Sequence, residues 1–328
     1  ADKGIPGLQL AVARDGKVIK TGNYGESNLQ DSVPVSDKTR FPVNSMTKAF
    51  TGVAIMQLAE RGKLSVDDPI DKHLTDLPLP WQKLTIRQLM SHTSGLPDIL
   101  RGKAKLIRGD DPEASWEAVQ SMPMQFEVNT QFSYNQTGYI LLGKIIDKLS
   151  GQPFTQFISE QQLLPLGLTQ TAEAGFGYFE NVIPNQARQY FFGPDGQLHT
   201  LHAEFAPFLR AAAGMTSNAR ELAHYAVALQ KGKLLKPASV KTMWTATTLE
   251  NGQTAGFNEL ENGYGLGWQI IAREKQPAVG ASGANAVTLI IYPEDDLVIV
   301  VLTNLVGALP IHFVDSIAAF YLSEDGER

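Results

Sequence analysis

The sequence predicts an α+β fold in which an antiparallel sheet is built from both ends of the chain and flanked by helices. A mostly helical second lobe is inserted between the two halves of that sheet. Three observations predict it. Short β-branched and aliphatic runs bounded by turn residues cluster near the two ends. Between about Asp67 and Ala203 the pattern changes to helical segments separated by proline and glycine. The length of 328 residues, 43% of them hydrophobic, suits one large domain or two interleaved ones with ample material for a core. The expected division is residues 1–66 with 204–328 as an α/β lobe, and 67–203 as the helical lobe.

Taken in order, Leu8 to Arg14 reads as a strand. Asp15-Gly16 then marks a tight hairpin into a second strand, Lys17 to Thr21, because both turn positions favour a left-handed backbone. Gly22 to Ser36 reads as loop. Val53, Ile55, Met56, Leu58 and Ala59 give the stripe of an amphipathic helix, entered after Pro42 and stopped at Gly62. Thr85 is a plausible cap for a short helix to Met90, and Ser91 to Pro97 is a loop. Helices are expected over Ser115 to Ser121, Tyr139 to Leu149 (closing at Gly151), Phe154 to Leu163 and Asn218 to Gln230. Strands follow at Gly265 to Ala272, Ala286 to Tyr292 and Leu297 to Thr303, the last two apolar throughout and so buried on both faces. Pro310 opens a final helix.

Composition excludes several classes. Lysine and arginine number 28 against 34 acidic residues, a net charge of −6, and no basic run stands out, so nucleic acid is not expected as a partner. With no cysteine there is no disulfide, thiol nucleophile or thiolate metal site. The most apolar stretch, Leu297 to Pro310, is too short to span a bilayer. No signal-peptide pattern is present at Ala1, whether a leader was removed or never existed, and an extracytoplasmic setting is expected over a cytoplasmic one. The oligomeric state is left open.

The chemistry begins at Ser45-Met46-Thr47-Lys48. Three residues apart at a helix start, Ser45 and Lys48 share a face one turn apart. A serine hydroxyl needs a base to become a nucleophile. A desolvated lysine near a helix N-terminus can be driven toward the free amine, and helix-start N–H groups can stabilise an oxyanion. The alternative is an N-cap serine with a surface lysine one turn on; Ser-x-x-Lys alone does not decide between them.

Two further phrases decide it. Phe132-Ser-Tyr-Asn-Gln-Thr-Gly-Tyr139 precedes a buried helix, and Gly280-Ala-Ser-Gly-Ala284 enters a terminal strand. With Ser45-x-x-Lys48 they stand in the order and rough spacing of the serine β-lactamase and penicillin-binding superfamily. The chain most resembles its class C β-lactamase branch, which includes family VIII carboxylesterases and D-aminopeptidase and DD-peptidase relatives. The resemblance covers nearly the whole chain and includes Ile5-Pro6-Gly7, Gly62-Lys-Leu64, Leu89-Met-Ser-His-Thr-Ser-Gly-Leu96, Pro165-Leu-Gly-Leu168 and Tyr264-Gly-Leu-Gly-Trp268. It implies the β-lactamase/transpeptidase-like fold, Ser45 as acylated nucleophile, Lys48 as its base and Tyr134 as proton shuttle. It implies an oxyanion hole from the amides of Ser45 and Ala284, substrate contacts at Asn135, Gln136, Ala281, Ser282 and Gly283, and no cofactor or metal.

Two departures from the branch stand out. Where Tyr-x-Asn is usual, the chain has Tyr134-Asn135-Gln136, so Gln136 replaces the asparagine and Asn135 could substitute if the turn shifts. In the third motif Ala281 stands where a cationic or aromatic residue is usual, while Ser282 still offers a hydroxyl. No cation at Ala281 would meet a substrate carboxylate there; Arg210 or Arg273 could serve instead.

Other candidates carry less. His199 and His202 are three apart, but no His-Glu-x-x-His pattern exists, so a metal site is not expected. His92 reads as a structural hydrogen-bonding residue rather than a base. The acidic pairs Asp67-Asp68 and Asp110-Asp111 and the run Glu294-Asp-Asp296 read as turns and solvated faces. Trp81, Trp116, Trp244 and Trp268 read as core. The expectation is therefore a serine hydrolase that works through an acyl-enzyme on carboxylic esters or related small acyl compounds. The alternatives are a β-lactamase or D-amino-acid or DD-peptidase, and a weakly catalytic penicillin-binding or acyl-sensing protein.

Overall fold

A computed structural model describes residues 4–101, 111–177, 180–201 and 206–322. Among them the main sheet has eight strands in the order β3-β2-β1-β12-β11-β10-β9-β8. Its N-terminal strands are β1 (Gly7–Arg14), β2 (Lys17–Asn28) and β3 (Val33–Pro34). Two pairs outside the main sheet are β4 (Phe41–Pro42) with β7 (Thr216–Ser217), and β5 (Tyr190–Phe192) with β6 (Leu198–Thr200). The C-terminal strands are β8 (Gly263–Tyr264), β9 (Gln269–Ile271), β10 (Ala278–Gly283), β11 (Val287–Tyr292) and β12 (Leu297–Thr303). All neighbours in the main sheet run antiparallel, and β1 pairs directly with β12 from Leu8 opposite Thr303 to Arg14 opposite Leu297. The two ends of the chain thus meet in the middle of one sheet.

The hairpin between β1 and β2 turns on Asp15 and Gly16, at φ 52° and 78°, the left-handed pair that the Asp-Gly signal requires. Beyond it β2 continues to Asn28, through residues read from sequence as loop. Its exposed Gly-Asn-Tyr-Gly stretch lacks an apolar period, and it is held by register with β1 after a bulge between Val12 and Ala13. The stretch from Gly265 is not one strand. β8 and β9 are joined by a tight turn in which the Gly265 N–H donates to the Trp268 carbonyl, with Gly267 at φ 89°.

The helices are α1 (Thr47–Glu60), α2 (Ile86–Met90), α3 (Pro112–Gln120), α4 (Thr137–Ser150), α5 (Phe154–Ile158), α6 (Thr169–Ala174), α7 (Arg210–Ala213), α8 (Ala219–Gln230), α9 (Pro237–Met243) and α10 (Val314–Ala318). Capping chemistry sets several starts. Thr85 and Gln88 form a reciprocal capping box on α2, Asn218 accepts from the Glu221 N–H on α8, and Gly151 closes α4 at φ 75°. The final segment is a 3-10 turn at Pro310–His312 followed by the short α10 rather than one long helix.

One face of the sheet, through Ala11, Ala13, Leu289, Val300 and Leu302, joins the main core with α1, α4 and α8. The other, through Val12, Ile290, Tyr292, Ile299 and Val301, packs under α10. Every residue of α1 from Thr47 to Leu58 is buried, so the expected amphipathic stripe is in fact a helix sealed on all sides. Thr47 and Thr51 are satisfied there by donating to the carbonyls of Asn44 and Ala211. No helix among the described residues is long and apolar enough to cross a membrane.

Candidate active site

Ser45 lies between β4 and α1. The Val43 N–H donates to the Met215 carbonyl, tying this entry to the strand partner of β4. Asn44 then takes a left-handed backbone, φ 51°, and Ser45 sits in a 3-10 turn spanning Asn44–Met46. It is not an N-cap: residue 46 holds that position on α1 and no side-chain cap bond is made. The turn leaves Ser45 partly exposed at the head of a buried helix, with Lys48 beneath it.

Lys48 is 1% exposed. Its Nζ lies 2.7 Å from Gln136 Oε1, 2.9 Å from the Ala212 carbonyl and 3.4 Å from Ser45 Oγ. It also stands 4.7 Å from the ring centre of Tyr134 and 5.2 Å from that of Tyr139. Burial disfavours the ammonium and brings the Lys48 pKa down to about 7, with Asp98 pulling the other way. Two acceptors occupy two of its N–H groups. In the free amine the third direction is left for the lone pair, toward the Ser45 hydroxyl.

The Tyr134 hydroxyl lies beside Ser45, and burial holds its phenol well above the usual range, so it stays protonated through neutral pH. Its ring packs against His92, with centroids 4.4 Å apart, and against Phe257 at 5.2 Å.

The loop from Ser91 to Ile99 moulds this segment. The Asn135 N–H donates to His92 Nδ1 at 3.1 Å and Asn135 Nδ2 to the Leu96 carbonyl at 2.8 Å. Thr137 Oγ1 donates to the Pro97 carbonyl at 2.7 Å and accepts from the Ile99 N–H at 3.0 Å. Asn135 Oδ1 accepts the Gly138 N–H, so both ends of that amide are committed to the loop and the start of α4. The roles split accordingly: Gln136 reaches Lys48, and Asn135 holds the turn. His92 is at φ 61° and 1% exposed, ringed by Phe132, Tyr134, Tyr139 and Tyr264. Because Nδ1 accepts, Nε2 carries the proton, and it has no hydrogen-bond partner among the described residues. Burial, aided by Lys48, keeps the ring neutral. A ring with its acceptor taken is a structural part, not a base.

The end of β10 meets Ser45. A Cβ on Gly283 would stand 2.1 Å from the Val43 carbonyl oxygen and 3.0 Å from the Ser45 nitrogen, so only glycine permits this approach. The next two residues, Ala284 and Asn285, are exposed and left-handed at φ 50° and 51°. β9 pairs with β10 only over Ala278–Gly280, so Ala281 to Gly283 has no strand partner on that side. Ala281 is 5% exposed on the core face, within the main apolar cluster. The Ser282 hydroxyl pairs at 3.0 Å with Thr288, its neighbour across the strands, on the opposite face from Ala281.

Ser45, Lys48, Tyr134, Gln136 and Gly283 are therefore brought together, while the side chains of Asn135 and Ser282 are spent elsewhere. Arg210 is paired with Glu180 at 2.6 Å, and Arg273 with Asp315 at 2.7 and 3.0 Å. Asp98, missed by sequence reasoning, is 4% exposed and accepts the Leu100 N–H. Its only signal was an acid inside the apolar run Leu96 to Leu100. His202 and Asp110 lie outside the described residues. Among those residues no group of His, Cys, Asp or Glu is placed to hold a metal.

A serine beside a buried lysine and a protonated tyrosine, with glycine-bounded backbone next to its amide, is an arrangement that fits the kind of serine hydrolase in which lysine takes the place of histidine as base. That centre sits in the β-lactamase/transpeptidase fold. The chain belongs to the Beta-lactamase family, whose model matches residues 1–322. Protein flp of Staphylococcus aureus (strain N315) is 32% identical over 173 residues, covering 51% of this chain and 35% of that protein. Penicillin-binding protein 4* of Bacillus subtilis (strain 168) is 26% identical over 292 residues, 84% of this chain and 62% of that protein. The chain thus spans about a third of the length of the first and a little under two thirds of the second. The octameric penicillin-binding protein homologue from Pyrococcus abyssi superposes with a TM-score of 0.81 at 25% identity, over 97% of this chain and 74% of that one.

Proposed function

We propose that the protein hydrolyses carboxylic esters or related small acyl compounds through an acyl-enzyme on Ser45. The observation that carries this is the grouping of Ser45, Lys48 and Tyr134: an amine 3.4 Å from the serine oxygen, sealed from water and poised near neutrality, with a protonated phenol beside the serine. Apo contacts of this length commonly tighten when substrate binds. Lys48 as free amine takes the Ser45 proton while Oγ attacks the acyl carbon. The N–H groups of Ser45 and Ala284 hold the oxyanion. Tyr134 gives its proton to the departing oxygen and recovers one from the Lys48 ammonium. Water then repeats the sequence on the acyl-enzyme, returning Ser45 with its proton.

The ester reading rests on Ala281. A charge-assisted hydrogen bond to a substrate carboxylate is worth roughly 1.5–3 kcal/mol, or about one to two powers of ten in binding. Ala281 supplies no such bond, and Arg210 and Arg273 are both paired with carboxylates, which supports a substrate without a carboxylate at that place. A second reading, a β-lactamase or a D-amino-acid or DD-peptidase, is favoured by the similarity to penicillin-binding proteins. A weakly catalytic penicillin-binding or acyl-sensing protein is the third. Comparing kcat/KM for p-nitrophenyl butyrate and nitrocefin separates them. The ester should be preferred by at least about tenfold. Preference for nitrocefin reverses the first two readings, and stoichiometric labelling without turnover of either favours the third.

A further inference from the structure

The mechanism above leaves one buried charge unused. Asp98 is 4% exposed, at the foot of the loop that moulds Tyr134 and Gln136. Its carboxylate accepts the Leu100 N–H at 2.9 Å, and its neighbours on either side are tied to Thr137, the Pro97 carbonyl accepting from Thr137 Oγ1 and the Ile99 N–H donating to it. The side chain of Gln136, the residue before Thr137, accepts from Lys48 at 2.7 Å. The loop that carries the buried acid is therefore clamped beside the residue that reaches the buried amine, and among the described residues no salt bridge joins the two directly.

We propose that Asp98 is a positioning residue for the Ser45–Lys48 pair: it holds the loop clamped against the Gln136–Thr137 turn and supplies the one buried negative charge near the lysine among the described residues. The inference rests on Lys48 acting as the base for Ser45. Lys48 is otherwise surrounded by groups without charge: the Ser45 hydroxyl, the Gln136 amide, the Ala212 carbonyl and the rings of Tyr134, Tyr139 and neutral His92. Asp98 in turn is faced by Lys48 and by the exposed Arg101, and desolvation raises its own pKa. Burial alone would leave the amine a weaker base than the reaction wants. A base works best with a pKa near the working pH, and the carboxylate raises Lys48 toward it. Removing the acid should leave the lysine free-amine at lower pH but less able to take the serine proton.

The test is the pH dependence of the single-turnover acylation of Ser45 by a p-nitrophenyl ester, in wild type and Asp98→Asn. The acidic limb should move to lower pH by about one unit, the lower end of the range for a nearby opposite charge, with a reduced plateau. A limb that stays in place, or moves up, in a folded variant overturns the proposal. A purely structural role would lower the rate at every pH without moving the limb. The reciprocal measurement needs no change at Asp98: carbon-13 NMR of the aspartate carboxyls in Lys48→Met. Without the ammonium, Asp98 should titrate about one unit higher than in wild type, and an unmoved titration also overturns the proposal. If wild type is never acylated at Ser45, the hydrolase reading fails instead, and the NMR comparison still judges Asp98.

Discussion

Replacing Lys48 by methionine should abolish turnover and yet make the protein relatively more stable at low pH. Both effects come from the burial of the amine. A lysine in the unfolded chain titrates near 10.5, and in the folded site at about 7. Below pH 7 the proton is bound in both states, and the folded state bears the full cost of the buried ammonium. Between about 7 and 10.5 only the unfolded chain holds the proton, so wild-type stability rises with pH across that window. Each unit is worth about 1.36 kcal/mol, so from pH 7 to 9 the rise is roughly 2–3 kcal/mol. Methionine fills nearly the same volume and does not titrate. It leaves Gln136 Oε1 and the Ala212 carbonyl without their donor, a loss of about 1–3 kcal/mol each that does not depend on pH. The sign of the net effect at one pH is thus a balance, but its slope is not. Urea denaturation of both proteins at pH 6, 7, 8 and 9 measures it. The stability of Lys48→Met relative to wild type should be flat from 6 to 7 and fall by roughly 2–3 kcal/mol by pH 9. A difference that stays constant across pH 7–9 would mean that Lys48 is charged in the folded site, and the argument for a free-amine base would collapse.

Three other outcomes follow from the same geometry. In wild type, ester kcat/KM should fall below an apparent pKa of about 7, the Lys48 value, so that at pH 6 it is about one tenth of the plateau; a pH-independent rate from 5 to 9 contradicts Lys48 as base. Tyr134→Phe keeps the ring packed against His92 and removes only the hydroxyl. It should lose about 10²-fold or more in kcat with little change in melting, and a loss under threefold would move the proton path elsewhere. Gly283→Ala forces a Cβ to within 2.1 Å of the Val43 carbonyl and so pushes the end of β10 away from the Ser45 amide. It should cost about 10²–10³ in kcat, the scale of a lost oxyanion donor, and near-normal turnover would mean that this backbone does not hold the oxyanion.

What was legible in the sequence follows from which forces act locally. The Asp15-Gly16 turn, the Thr85 cap, the helix start at Asn218 and the aliphatic strands β11 and β12 are each set by their own residues, and they stand where read, within a residue. β10 carries little strand propensity, since Val279 is the only β-branched residue among Ala278–Gly283. It is held by its partners on both sides, and its small residues are what let it approach Ser45. α1 showed a stripe because a periodic subset of its residues is aliphatic. The threonines and alanines between them are buried too, once the sheet and the helices cover every side. At the site, Ser45, Lys48 and Tyr134 were legible as a motif set, whereas the exchange of tasks between Asn135 and Gln136 was not. Which amide faces the lysine depends on a turn clamped by His92, Leu96 and Pro97, forty residues away in sequence. Asp98 was invisible for the same reason: a loop aspartate is ordinarily solvated, and only the packing of the Ser91–Ile99 loop onto the start of α4 buries this one.

The most direct test of the account is to ask where an acyl group goes. The protein is treated with a fluorophosphonate probe, and the adduct is located by peptide mass spectrometry, with ester turnover followed in parallel in wild type and Ser45→Ala. The account predicts one adduct per chain, on Ser45, and its absence from Ser45→Ala. Turnover in that variant should fall by many powers of ten, because the catalytic set acts as a unit. An adduct on another residue, or Ser45→Ala turnover within about tenfold of wild type, an energy of only ~1.4 kcal/mol, would contradict it.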